Sequence, residues 1–239
     1  MTKRISLLLH VGLPKTGSIA TQFWADGNRR QLLKVGICYP EPTQGQSKPK
    51  HQALVSELIQ NSQLSLGRWI ESSPAARLFL STEGLSNHVY DFSDDALGEF
   101  RSITKGVQVV VFAVFRERTA WLRSYYKQSV ITAPNPRFLY GTSLKFEDFA
   151  ATPRLTRLAD RQKMLERLEA AYGADSVVEA DYEKDWQGCL LATLGIESSK
   201  ISMSLPVSNE SASDDVVELV RQYNGFSAPR RTASCFSTC

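Results

Sequence analysis

Apolar residues along this chain fall into two alternating patterns. Continuous apolar runs occupy residues 5–11, 78–81, 107–115 and 177–178, the pattern of strands buried on both faces of a parallel sheet. Between them, residues 19–35, 51–60, 94–103, 119–130, 154–172 and 186–194 carry apolar positions at helical spacing. Gly36 and Gly195 stand where a left-handed residue ends a helix. Residues 40–49, rich in Pro, Gln, Gly and Lys, read as a loop. Residues 133–144 open on Ala133-Pro134-Asn135-Pro136 and form a long irregular connection of the kind that carries binding loops. The alternation predicts an α/β domain over residues 1–226, with a central, mainly parallel sheet flanked by helices and a polar tail over 227–239.

Composition narrows the setting. The 239 residues suit one large domain, and 28 basic against 25 acidic residues give a net charge of +3, too balanced to favour nucleic acid or an anionic membrane as partner. Cys38, Cys189, Cys235 and Cys239 are scattered without Cys-x-x-Cys spacing, so neither a zinc site nor a disulfide framework is expected, and the reducing cytoplasm is the expected setting. Lys3-Arg4 followed by Ile5 to Leu9 imitates a signal peptide, but the apolar run is short and reads as the first strand. No stretch reaches the length of a transmembrane helix.

The chemistry concentrates in His10-Val11-Gly12-Leu13-Pro14-Lys15-Thr16-Gly17-Ser18, between the first strand and the first helix. A strand, a glycine-containing loop and a helix start make an anion site, because the free N–H groups and the positive end of the helix converge where the loop turns. Lys15 adds a point charge, and Thr16 and Ser18 add hydroxyls. The Walker pattern fails here, since Ser18 stands where its lysine belongs. The order Pro14-Lys15-Thr16-Gly17-Ser18 instead resembles the 5′-phosphosulfate loop of sulfotransferases that use 3′-phosphoadenosine-5′-phosphosulfate (PAPS).

A second segment resembles the same family. The strand 107–115 ends at Arg116, and Ser124 follows eight residues later on the next helix, as do the arginine and serine with which the family holds the 3′-phosphate. Leu144-Lys145-Phe146-Glu147-Asp148-Phe149, Tyr172-Gly173 and Tyr182-Glu183 are similar to motifs of a bacterial, carbohydrate-type branch. The resemblance spans about residues 5–215 and implies a P-loop-like nucleotide-binding fold. It also implies transfer of a sulfuryl group from PAPS to a small-molecule or oligosaccharide hydroxyl, with no metal ion. Gly12, Pro14, Lys15, Thr16, Gly17, Ser18, Arg116 and Ser124 are then expected to bind the cosubstrate, Lys15 also assisting catalysis. In Ser81-Thr82-Glu83, Glu83 matches the glutamate that carbohydrate-sulfating members use as base. His51, in His51-Gln52-Ala53-Leu54, matches a His-x-x-Leu of the bacterial branch and is the other candidate base, while His10 reads as a packed strand residue and His88 has no motif behind it. The chain departs from the pattern at Ile19, where a hydroxyl is usual, and at its C-terminus, where Arg230-Arg231 is the only substitute for a basic loop. These departures keep open a non-catalytic adenine-nucleotide-binding protein of the same fold; a nucleotide kinase is further removed.

Overall fold

The computed structural model describes residues 5–42, 49–135, 138–197, 201, 203 and 212–227. Cys235, Cys239, Arg230 and Arg231 lie outside the described residues, as do Met1 to Arg4, most of the loop at 40–49, and Pro136. In chain order the elements are β1 (Ser6–His10), α1 (Ser18–Gly27), α2 (Arg29–Lys34), β2 (Ile37–Cys38), α3 (Gln52–Gln60), α4 (Leu66–Glu71), β3 (Arg77–Ser81), α5 (Gly84–Asn87), α6 (Asp94–Ile103), β4 (Gln108–Phe115), α7 (Arg118–Ile131), α8 (Phe146–Ala150), α9 (Pro153–Leu158), α10 (Arg161–Tyr172), β5 (Ser176–Asp181), α11 (Trp186–Thr193) and α12 (Asp214–Ser227). By its internal contacts the chain divides into two compact units, residues 1–118 with 156–208, and residues 119–155 with 209–239.

The first unit holds a five-stranded sheet in the order β2-β3-β1-β4-β5, with every pairing parallel. The α/β architecture with a flanked parallel sheet follows the hydrophobic pattern of the sequence. Register fixes which side chains meet. His10 sits level with Ser81 on β3 and with Phe112 on β4, so these three residues share one face of the sheet. On that face, Leu8, Phe79, Phe112 and Val114 form a core with Trp24, Leu32, Trp186, Leu190 and Leu191. The alternate residues Leu7, Leu9, Leu78, Leu80, Val109 and Val111 point the other way and are also buried, which is why these strands read as unbroken apolar runs.

Two expected helices are interrupted. The segment 19–35 divides at Asn28, whose backbone N–H and side-chain Nδ2 both donate to the Trp24 carbonyl, at 3.0 and 2.8 Å; a side chain that competes in this way ends the helical ladder. The segment 154–172 divides at Asp160, which caps α10 by accepting from the Lys163 N–H. The expectations at Gly36 and Gly195 hold, with φ of 80° and 64°. The two-residue strand β2 and the short helices α4 and α5 give the periodicity too little length to register.

The second unit is built on aromatic packing. Trp121 stacks on Tyr125 at 5.4 Å, and Tyr126 lies 5.3 Å from Phe149. Helix α12 is tied in by Lys127 to Asp214 at 2.7 Å and by Asn224 donating to the Val130 carbonyl at 2.9 Å. Among the described residues, no helix is long and apolar enough to cross a membrane.

In the first unit, one side chain ties the edge of the sheet to two helix ends. The Arg77 guanidinium donates to the carbonyl of Val35 at 2.7 Å and to that of Leu194. Replacing it strands both acceptors at chain reversals after α2 and α11. Arg77→Leu should lower the unfolding free energy by about 1.5–3 kcal/mol in chemical denaturation, the usual worth of hydrogen bonds from a charged donor; a loss under about 0.5 kcal/mol would show that water replaces it without cost.

Candidate functional site

In a sheet of order 2-3-1-4-5 the chain leaves β1 toward one side and β4 toward the other, so a crevice opens beyond the carboxyl ends of these two neighbours. Residues 11–17 follow β1, and Arg116 follows β4. The start of the loop continues the ladder to β4: Val11 N–H donates to the Phe112 carbonyl at 2.9 Å and Leu13 N–H to that of Val114 at 3.3 Å.

The loop then turns with two left-handed residues, Lys15 at φ 71° and Gly17 at φ 81°. A left-handed non-glycine residue costs about 1–2 kcal/mol, and such strain collects where a backbone must present groups to a ligand. At the same time four carbonyls in and beside the loop accept hydrogen bonds within the protein. That of His10 accepts from Thr82 N–H at 3.1 Å and that of Gly12 from Ser86 Oγ at 3.2 Å. That of Leu13 accepts from Thr16 Oγ1 at 2.6 Å and that of Gly17 from Thr21 N–H at 3.1 Å. With these four acceptors engaged, the loop leads into the free N–H groups of the first turn of α1 and the positive end of that helix.

Of the cosubstrate residues expected from the sequence, Gly12, Pro14, Thr16 and Ser18 are buried and Lys15 is half-buried. Gly17 has an aromatic floor: a Cβ there would lie 2.9 Å from Trp186, and Trp186 is stacked against Tyr182. The Arg116 guanidinium lies over the Tyr182 ring at 5.3 Å and pairs with Glu183 at 3.3 Å. Lys15 feels Arg116. Its ammonium pKa is pulled below the ordinary value, first by burial and then by the Arg116 charge, so two cations share one region of the first unit. Ser124 stands half-buried on α7, in the second unit.

Glu83 follows β3 and heads α5. Its carboxylate accepts from Gln22 Nε2 at 2.9 Å and from Lys50 Nζ at 3.2 Å. Gln22 lies one helical turn beyond Ser18 on α1, which ties the carboxylate to the helix that follows the loop. Burial raises the Glu83 pKa, but the charge of Lys50 and the Gln22 hydrogen bond outweigh it and hold the group below the ordinary carboxylate value. Glu83 is therefore an ionised acceptor at neutral pH. Gln22 and Lys50 carried no sequence signal for this role, because the partnership joins three segments far apart in the chain.

His51 occupies a different environment. It is fully buried, its Nδ1 accepts from Ser81 N–H at 3.0 Å, and its Nε2 lies 3.1 Å from the Pro40 carbonyl, to which it donates. Tyr39 and Trp69 pack edge-on against the ring. Both ring nitrogens are thus committed to backbone, an arrangement that joins the loop before α3 to the end of β3. His88 contacts Asp91 through Nδ1 at 3.0 Å. No group of three or more His, Cys, Asp or Glu among the described residues is arranged to hold a metal ion.

Burial holds the pKa of both His10 and His51 down to about 4, opposed by the Glu83 charge at His10 and by backbone hydrogen bonds at His51. A histidine whose folded pKa lies below its unfolded value of about 6.5 binds protons better when unfolded. The stability it supports is complete above pH 6.5 and is lost as pH falls toward 4. Unfolding free energy should therefore drop between pH 6.5 and 4 by about 1.4 kcal/mol per pH unit for each histidine, while Glu83, whose pKa is lowered from the carboxylate range, contributes a loss only at the acid end. Chemical denaturation at pH 7, 6 and 5 checks this, and a flat profile would contradict the assigned burial. Compared with models of known protein families and with curated proteins, the chain matches none.

Proposed function

We propose that the protein is a PAPS-dependent sulfotransferase that works in the cytoplasm, with the P-loop-like fold of that family, and sulfates a hydroxyl of a small molecule or oligosaccharide. The observation that carries this reading is the loop between β1 and α1. Three of its carbonyls, those of Gly12, Leu13 and Gly17, are engaged, its lysine and second glycine are left-handed, and its lysine lies within the field of Arg116. Two cations within each other's field, Arg116 also paired with Glu183, suit a ligand with two anionic groups, which an adenosine carrying 3′- and 5′-substituents provides.

In this reading the sulfur–oxygen bond to the 5′-phosphate breaks as the acceptor oxygen attacks in line, and 3′-phosphoadenosine-5′-phosphate (PAP) leaves. Charge builds on the leaving phosphate, where Lys15, the Ser18 hydroxyl and the loop N–H groups stabilise it. The acceptor's proton passes to Glu83, with Lys50 and Gln22 fixing the carboxylate. Arg116 is assigned to the 3′-phosphate.

A non-catalytic adenine-nucleotide-binding protein of the same fold is the second reading. Ile19 offers no hydroxyl at the start of α1, and the Glu83 carboxylate is stabilised as an anion, which weakens it as a base. Calorimetric titration with PAP, ATP and 5′-AMP tests the binding, and transfer of labelled sulfate from PAPS tests the turnover. PAP is expected to bind well ahead of the other two, and equal affinities would sink the sulfotransferase reading. Arg116→Ala should weaken PAP by about 1.5–3 kcal/mol and leave 5′-AMP nearly unchanged. Glu83→Gln should preserve PAP affinity and lower turnover by roughly 10²–10⁴ on an identified acceptor; an unimpaired rate would remove Glu83 from the mechanism.

A further inference from the structure

His10 is read from the sequence as a packed strand residue, and its ring is fully buried at the end of β1. Its Nδ1 lies 2.8 Å from Ser81 Oγ, the contact dictated by the register of β1 on β3. Its Nε2, however, is buried with no hydrogen-bond partner among the described residues, and the same is true of Ser18 Oγ. Burying a polar atom without a partner costs about 1–3 kcal/mol, so two orphans in one place point to something that completes them.

They are in one place. A Cβ built on Gly12 would lie 3.2 Å from Ser18 Oγ, 3.4 Å from His10 Nε2 and 2.8 Å from Thr16 Oγ1. Three polar atoms from the strand end, the loop and the first turn of α1 therefore surround the space that only glycine leaves open at position 12. Thr16 is already engaged with the Leu13 carbonyl. The other two are not: His10 ends β1, and Ser18 opens a ten-residue helix beside the engaged carbonyls of Gly12, Leu13 and Gly17.

We infer that His10 is an anion-binding residue: its Nε2–H and the Ser18 hydroxyl together take one oxygen of the 5′-phosphate held by the loop. This rests on the reading given under Proposed function and extends it to a residue outside the Pro-Lys-Thr-Gly-Ser segment. It also supplies a donor where Ile19 has none. The assignment fixes the proton: a neutral ring can give Nε2–H to an anion only if Nδ1 is the acceptor, so the Ser81 hydroxyl donates to Nδ1. The neutral form is the one burial favours, against the opposing charge of Glu83.

The test uses the full chain, with PAP and adenosine 3′-phosphate as probes, since the second lacks the 5′-phosphate. His10→Leu should weaken PAP by about tenfold to a hundredfold, the range for a hydrogen bond to a charged group, and leave adenosine 3′-phosphate within about threefold. His10→Gln, whose amide reaches the position of Nε2, should recover most of the loss. Equal affinities of wild type and both variants for PAP would overturn the proposal and show that a trapped water completes the two orphans. Should His10→Leu not fold, nitrogen-15 spectra of the wild-type ring decide: the expected result is a protonated Nε2 whose shift moves on adding PAP, and an unprotonated or unmoved Nε2 overturns the assignment. Failure of the wild type to bind PAP at all overturns the sulfotransferase reading itself, whereas PAP binding that is indifferent to His10 overturns only this extension.

Discussion

Everything at the candidate site depends on β1 having a strand on each side. Hydrogen-bonded to β3 and β4 along its length, it delivers His10, and after it the loop, to one edge of the sheet in fixed register with Ser81 and Phe112. The ladder to β4 continues through Val11 and Leu13, so the backbone is still guided by the sheet when it begins to turn. An outer strand such as β2, two residues long, offers no such constraint. Anion binding by backbone groups needs donors held before the ligand arrives, and the sheet supplies that fixity.

The same logic explains why the loop's acceptors matter as much as its donors. A carbonyl left facing the crevice would repel an anion at close range. Here Thr82, Ser86, Thr16 and Thr21 each remove one. Two of these four residues, Thr82 and Ser86, bracket Glu83, Gly84 and Leu85, so the segment that carries the candidate base also shapes the loop after β1. In the first unit the groups assigned to the leaving side and the acceptor side of the reaction are thus built from overlapping parts.

Much of the architecture was legible because it rests on local pattern. The buried strands read as apolar runs, and α6 reads from Asp94 to Ile103 because Ser93 caps it and two aspartates follow in its first turn. The break at Asn28 was not legible, since a Gly-Asn pair inside a periodic segment looks like a tolerated interruption until the side chain is seen bonding to Trp24. The parallel order of the strands follows from α/β alternation, but which strand takes the centre does not. The site divides in the same way. Lys15, Gly17 and Ser18 are contiguous and carry their chemistry in their order. His10 acquires an interest only through Ser81, distant in sequence, and Glu83 only through Lys50 and Gln22.

The left-handed backbone at Lys15 has a consequence for how this chain tolerates change. Glycine would take that conformation freely, so the lysine is held there against the preference of its own backbone. Lys15→Gly would relieve the turn and remove the charge in one step, gaining stability at the position proposed to hold an anion. A search for thermally hardened variants would therefore tend to erode this loop first, and selection for stability alone would drive the protein away from whatever it binds.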